Sequence, residues 1–200
     1  MVADSSSAFY RFRADDMVLE VFALRDIEEG EEIMTACRAF HPAFITQKLT
    51  SCPDMMTAIP THLRKRKLKS HWGFDCQCEI CGASVERIHL SDMRITFIME
   101  AKSQIDNGQL DPMTSLELVT EILQLYDEEG LITPKAEFYM IAAKTAQELG
   151  DIEGALRFAQ GSVYAWRIMA GEGSTEFLAA EQLYQVLLEQ SKALSQEEIG

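Results

Sequence analysis

From Val85 to the end, the chain repeats one pattern. Apolar side chains recur every third or fourth residue, and each run is framed by helix start and stop signals. Asp111-Pro112 and Thr133-Pro134 each set a capping side chain before a proline suited to a first helical turn. Asp151 and Ser174 can cap two further starts, and Gly130 and Gly150 stand where helices should stop. The pattern predicts five helices, over roughly 86–106, 112–129, 134–149, 152–170 and 175–193. Leu116, Val119, Ile122, Leu123 and Tyr126 form one apolar face of the second. Helices of this length on short loops pack as antiparallel hairpins.

The first part of the chain follows another rule. Phe9 to Arg13 alternates in part between apolar and polar, Asp15-Asp16 can turn, and Met17 to Leu24 is rich in strand formers, so a β-hairpin is expected. Gly30 is the expected pivot of a turn in Arg25 to Ile33. Residues 34–60 hold Pro42, Pro53 and Pro60 without a sustained period and read as an irregular insertion. The segment from His62 to Lys69 is basic, with Arg64, Lys65, Arg66, Lys67 and Lys69. It fits a nuclear address or nucleic-acid patch, but the favoured reading is the solvated face of a helix beside an acidic domain. The expected division is 1–84 and 85–200, an α+β chain whose second domain is all-α.

All five cysteines precede residue 82, and three of them fall in Cys76-Gln77-Cys78-Glu79-Ile80-Cys81. An odd number in a reducing compartment argues against a disulfide framework. Thiolate is the preferred ligand of structural zinc, four to an ion, and a tight turn can point Cys76, Cys78 and Cys81 at one centre. A redox role for Cys78 and Cys81 lacks the βαβ context that such pairs use. Cys37, Cys52, His71 and His89 are candidates for the fourth corner, and spacing singles out none of them.

Charge narrows the partners. The formal net charge is -14, of which residues 85–200 carry -12, with 8 Lys+Arg against 20 Asp+Glu. Such a half is unsuited to neutralising phosphates, so nucleic acid is not an expected partner. It suits a basic peptide or Lys-rich tail, or serves solubility alone. No apolar run approaches the roughly 20 residues of a membrane helix. The first residues lack the basic start and apolar stretch of a signal peptide, so the nucleus or cytoplasm is expected.

Two stretches, in this order, resemble a known family. Ala23 to Ile33 (ALRDIEEGEEI) resembles the late strand-and-turn segment of SET domains, and Trp72 to Cys81 (WGFDCQCEIC) resembles the post-SET motif. The helical tail, with Leu149-Gly150 followed by Ala155, Leu156 and Ala159, resembles the tetratricopeptide-like C-terminal region of SET-and-MYND proteins. An ordinary helical hairpin accounts for that last stretch equally well. The resemblance implies a protein-lysine methyltransferase using S-adenosylmethionine, with a partial SET module, a post-SET zinc loop and a helical-hairpin domain. It implies that Phe74 and Trp72 wall the cofactor or lysine channel, where an aromatic shields the reacting methyl group. Anchoring the zinc loop is the alternative role of both.

The chain also departs from that family. Where an Asn-His-Ser-Cys-x-Pro-Asn stretch is expected, Ser5-Ser6-Ser7-Ala8-Phe9 stands, so the cofactor-gripping pair and a cysteine ligand have no counterpart. Met34-Thr35-Ala36-Cys37 occupies the place of the catalytic tyrosine, and no Tyr occurs between Tyr10 and Tyr126. The expectation is a truncated, inactive chain. The competing expectation is a non-catalytic module that binds basic peptides or a partner through its acidic helices.

Overall fold

The computed structural model describes residues 8–13, 17–23, 26–31, 33, 59–73, 75, 80–131 and 135–197. They fall into two compact units, Met1–Glu100 and Ala101–Gly200. In the first unit, β1 (Ala8–Arg13) pairs antiparallel with β2 (Val18–Ala23), with Ala8 opposite Ala23 and Arg13 opposite Val18. Met17 enters β2 at φ 56, a left-handed conformation that is uncommon outside glycine and fits a tight reversal. Gly30 takes φ 86 where Glu31 N–H donates to the Glu28 carbonyl at 3.0 Å, as its place in a turn requires. This hairpin is the only sheet among the described residues. Residues 34–58, most of the expected irregular insertion, lie outside them.

Helix α1 (Thr61–Trp72) follows and ends at Gly73, whose φ is 74 and whose N–H donates to the Lys69 carbonyl at 3.1 Å. Its start is held from a distance. Pro60 offers no capping side chain, and the Thr61 N–H donates instead to Asp92 Oδ1 of the next helix at 2.6 Å. A carboxylate there meets an orphan donor and the positive end of the helix dipole together. The buried stripe of α1 is Thr61, Arg64 and Leu68. Arg64 is 1% exposed, so it does not belong to the solvated basic face that its neighbours suggest. Its guanidinium donates to the Ile59 carbonyl (Nη1, 3.2 Å) and to Thr61 Oγ1 (Nη2, 3.0 Å), while Nε has no hydrogen-bond partner.

Helix α2 (Val85–Asp106) runs through the division between the units. The second unit continues with α3 (Pro112–Glu128), α4 (Lys135–Glu148), α5 (Ile152–Met169) and α6 (Thr175–Glu197). Consecutive helices from α3 to α6 pack against each other. The expected caps are in place. Asp111 Oδ1 accepts from Thr114 N–H at 3.1 Å, Asp151 Oδ1 from Gly154 N–H at 2.8 Å, and Ser174 Oγ from Phe177 N–H at 3.1 Å. Helices α3 and α4 end alike: Leu131 N–H returns to the Tyr126 carbonyl and Asp151 N–H to the Ala146 carbonyl, across Gly130 and Gly150 at φ 67 and 80. Pro134 and its expected cap Thr133 lie outside the described residues.

The core of this unit is built on small side chains. Ala143, Ala146, Ala155, Ala159 and Leu187 form its buried cluster, flanked by Leu116, Ile152, Leu156, Phe158, Leu183 and Tyr184. Alanines on both sides of the α4–α5 seam bring the backbones close, and density is then completed by larger neighbours. No helix among the described residues is long and apolar enough to cross a membrane.

Candidate functional site

Two places hold the residues that the sequence marks for function. The first is the link between α1 and α2. Trp72 is the last residue of α1, and Gly73 breaks the helix immediately after it. Phe74, Cys76 and Cys78 lie outside the described residues, as do Cys37 and Cys52. Cys81 is 1% exposed, makes no disulfide, and sits in a turn where Ala83 N–H donates to the Ile80 carbonyl at 3.2 Å. Ile80 is buried beside it in sequence. The last cysteine of the motif therefore faces the interior, where a structural ligand belongs. Of the other candidate ligands, His71 is in α1 and His89 is exposed on α2. No three His, Cys, Asp or Glu side chains among the described residues gather as a metal site. Cys81 fits a closed thiolate site in burial and chemistry, and its proposed companions Cys76 and Cys78 stand outside the described set.

The second place is the outward face of α3. Met113, Leu116, Glu117, Thr120, Glu121 and Gln124 line a shallow, open groove that α3 alone bounds among the described residues. Their spacing puts all six on one stripe of the helix. Opposite this stripe, Val119, Ile122, Leu123 and Tyr126 are buried, with the Tyr126 ring 5.6 Å from Phe138 of α4. Leu116, expected on the buried face, sits at its edge. It is half-buried against the alanine cluster and also floors the groove.

The electrostatics around α3 are one-sided. Residues 103–134 contain seven Asp or Glu and no Lys or Arg. The cations at either end pair with acids at the two ends of this stretch and leave Glu117 and Glu121 at its middle. Lys102 lies 3.6 Å from Asp106 and 3.3 Å from Glu137, over the Phe138 ring, while Lys135 is paired with Asp127. Asp111 is held below the usual carboxylate range, chiefly by the Thr114 hydroxyl at 2.7 Å and then by the Thr114 backbone N–H. Sequence reasoning found the acidity of this half but not the groove, because a half-buried Leu at a face edge looks the same in sequence as a core Leu.

No family profile and no curated protein matches this chain.

Proposed function

We propose that the chain is a non-catalytic protein-binding module whose acidic helices hold a basic segment of a partner protein. The charge of the second unit carries this reading: residues 101–200 hold 6 Lys+Arg against 17 Asp+Glu. Helices α3–α6 pack consecutively, and stacking of the tetratricopeptide-like type, which this reading gives them, would offer an extended surface on which such charge can act. Opposite charge steers encounter and selects the partner more than it tightens the complex, so binding should be fast and salt-sensitive. Titration of the full chain with a Lys-rich peptide tests the reading. Binding at low ionic strength that fades as salt is added is expected, and a flat titration at low salt would reject it.

A second reading concerns descent and the first unit. The order of hairpin, Gly30 turn, Trp72 and buried Cys81 favours derivation from a SET-type lysine methyltransferase. In that reading Cys76, Cys78 and Cys81 hold a structural zinc that ties the loop together. Trp72 and Phe74 line what was the channel for S-adenosylmethionine and the lysine of a protein substrate. Lysine methylation is a positioning problem. With Met34-Thr35-Ala36-Cys37 in the place of the catalytic tyrosine and Ser5-Ser6-Ser7-Ala8-Phe9 in that of the cofactor-gripping pair, the chain alone is assigned no transferase activity. Methyl transfer from labelled S-adenosylmethionine to histones, above a Phe74→Ala control, would overturn that assignment.

A further inference from the structure

We propose that the groove along α3 is the docking site for a basic amphipathic segment of a partner protein. In the complex, an apolar side chain of that segment covers Met113 and Leu116, and its Lys or Arg side chains pair with Glu117 and Glu121. The inference rests on the binding-module reading and locates its site.

The argument begins with an uncompensated local cost. Glu117 and Glu121 stand one turn apart on one face, and like charges at that spacing disfavour a helix. Nothing among the described residues offsets them: neither has an ion-pair or side-chain hydrogen-bond partner there. The remaining polar side chains of the stripe are already committed. Thr120 Oγ1 donates to the Leu116 carbonyl at 2.7 Å, and Gln124 Nε2 to Glu128 Oε1 at 3.4 Å. The two carboxylates are therefore the groups left for an incoming ligand.

The groove floor selects the rest of that ligand. Met113 is 55% exposed on the same stripe, and Leu116 extends the core to the surface beside it. A thioether side chain adapts its shape to different apolar partners. Apolar floor and acidic side together match a segment with Leu-type and Lys-type residues on one helical face, as in helix-in-groove recognition. A divalent cation fits poorly, since two exposed carboxylates supply far fewer oxygens than calcium takes.

Fluorescence anisotropy on the full chain tests this with two labelled peptides of equal charge. One places Lys and Leu at helical spacing, and the other replaces Leu with Ser. Wild type should bind the Lys-Leu peptide more tightly. Glu117→Gln with Glu121→Gln should weaken both peptides roughly fivefold at low salt. Neutralising Glu148 and Glu189, exposed acids on α4 and α6, should change little. Met113→Ser should weaken the Lys-Leu peptide alone. All substituted side chains are exposed, and circular dichroism checks that each variant keeps its helices.

Equal weakening by the two acidic pairs would mean diffuse charge and overturn the site while leaving the binding module standing. Tight binding insensitive to every variant would place the site elsewhere. Failure of wild type to bind either peptide would reject the underlying reading instead. Concentration-dependent self-association that displaces the peptide and is lost in the Glu117/Glu121 variant would assign the groove to a second copy of the chain.

Discussion

Gly161 and Tyr139, at the α4–α5 seam, show how closely single residues are fitted. A Cβ added to Gly161 would stand 3.0 Å from Cδ1 and 3.1 Å from Cε1 of Tyr139, closer than ordinary van der Waals contact. Alanine normally favours a helix over glycine by about 1 kcal/mol. Here overpacking should outweigh that gain, since inserting a methyl into a filled seam costs about 1–3 kcal/mol. Gly161→Ala should therefore lower the denaturation midpoint, whereas in a Tyr139→Ala background the same change should raise it. A double-mutant cycle in urea decides this, and additive effects would disprove the contact. The phenol of Tyr139 adds a pH dependence. Burial raises its pKa above the ordinary value, and the Asp127 carboxylate raises it further. The folded state keeps the phenol proton to higher pH than the unfolded chain does. The resulting stability is complete below the unfolded tyrosine value of about 10 and is lost as pH rises through the raised folded value. Tyr139→Phe should flatten the alkaline fall in stability, and parallel curves for variant and wild type would count against this role.

Whole elements differ in how far the sequence discloses them. The five helices from α2 to α6 were legible from their apolar period, with a cap signal before each of α3 to α6 and a stop signal after α3 and α4. Asp111, Asp151 and Ser174 cap as their side chains suggest, and Gly130 and Gly150 take the left-handed conformation expected of helix ends. Helix α1 was legible only in outline, as a basic run that a helix face could carry. Its buried stripe is Thr61, Arg64 and Leu68, so two of its three inward positions read as polar and no apolar period survives. Its start was hidden for another reason: the carboxylate that meets the Thr61 N–H belongs to Asp92, 31 residues further on. Local reading cannot find a cap supplied by tertiary structure. Asp92→Ala should cost about 1 kcal/mol, as loss of a capping carboxylate does, and Asp92→Asn should recover part of it. Hydrogen exchange separates this from a general loss. Protection should fall first in the opening turn of α1 while α3–α6 keep theirs, and a uniform fall would argue against a local cap.

At the scale of the whole chain, the question is how the cysteine motif serves a molecule of two units. All five cysteines lie before residue 82, and Ala101–Gly200 contains none, so the thiolates of any metal site come from the first unit. A structural zinc supplies folding energy directly, and chelation withdraws it. The core of the second unit is built on the alanine cluster and Leu187. Purified protein should therefore carry about one zinc per chain. Chelation should lower one thermal transition while leaving a second, from α3–α6, where it was. Multi-domain chains show separate transitions of this kind. Cys81→Ser should reproduce the effect of the chelator, because it removes the buried thiol that the zinc proposal makes a ligand. Zinc retained by that variant would show that Cys81 is only a core residue. A single transition that moves as a whole would show that the metal supports α3–α6 as well. Loss of the first transition with peptide binding intact would separate the two proposed roles, an inherited zinc loop in one unit and an acidic docking surface in the other.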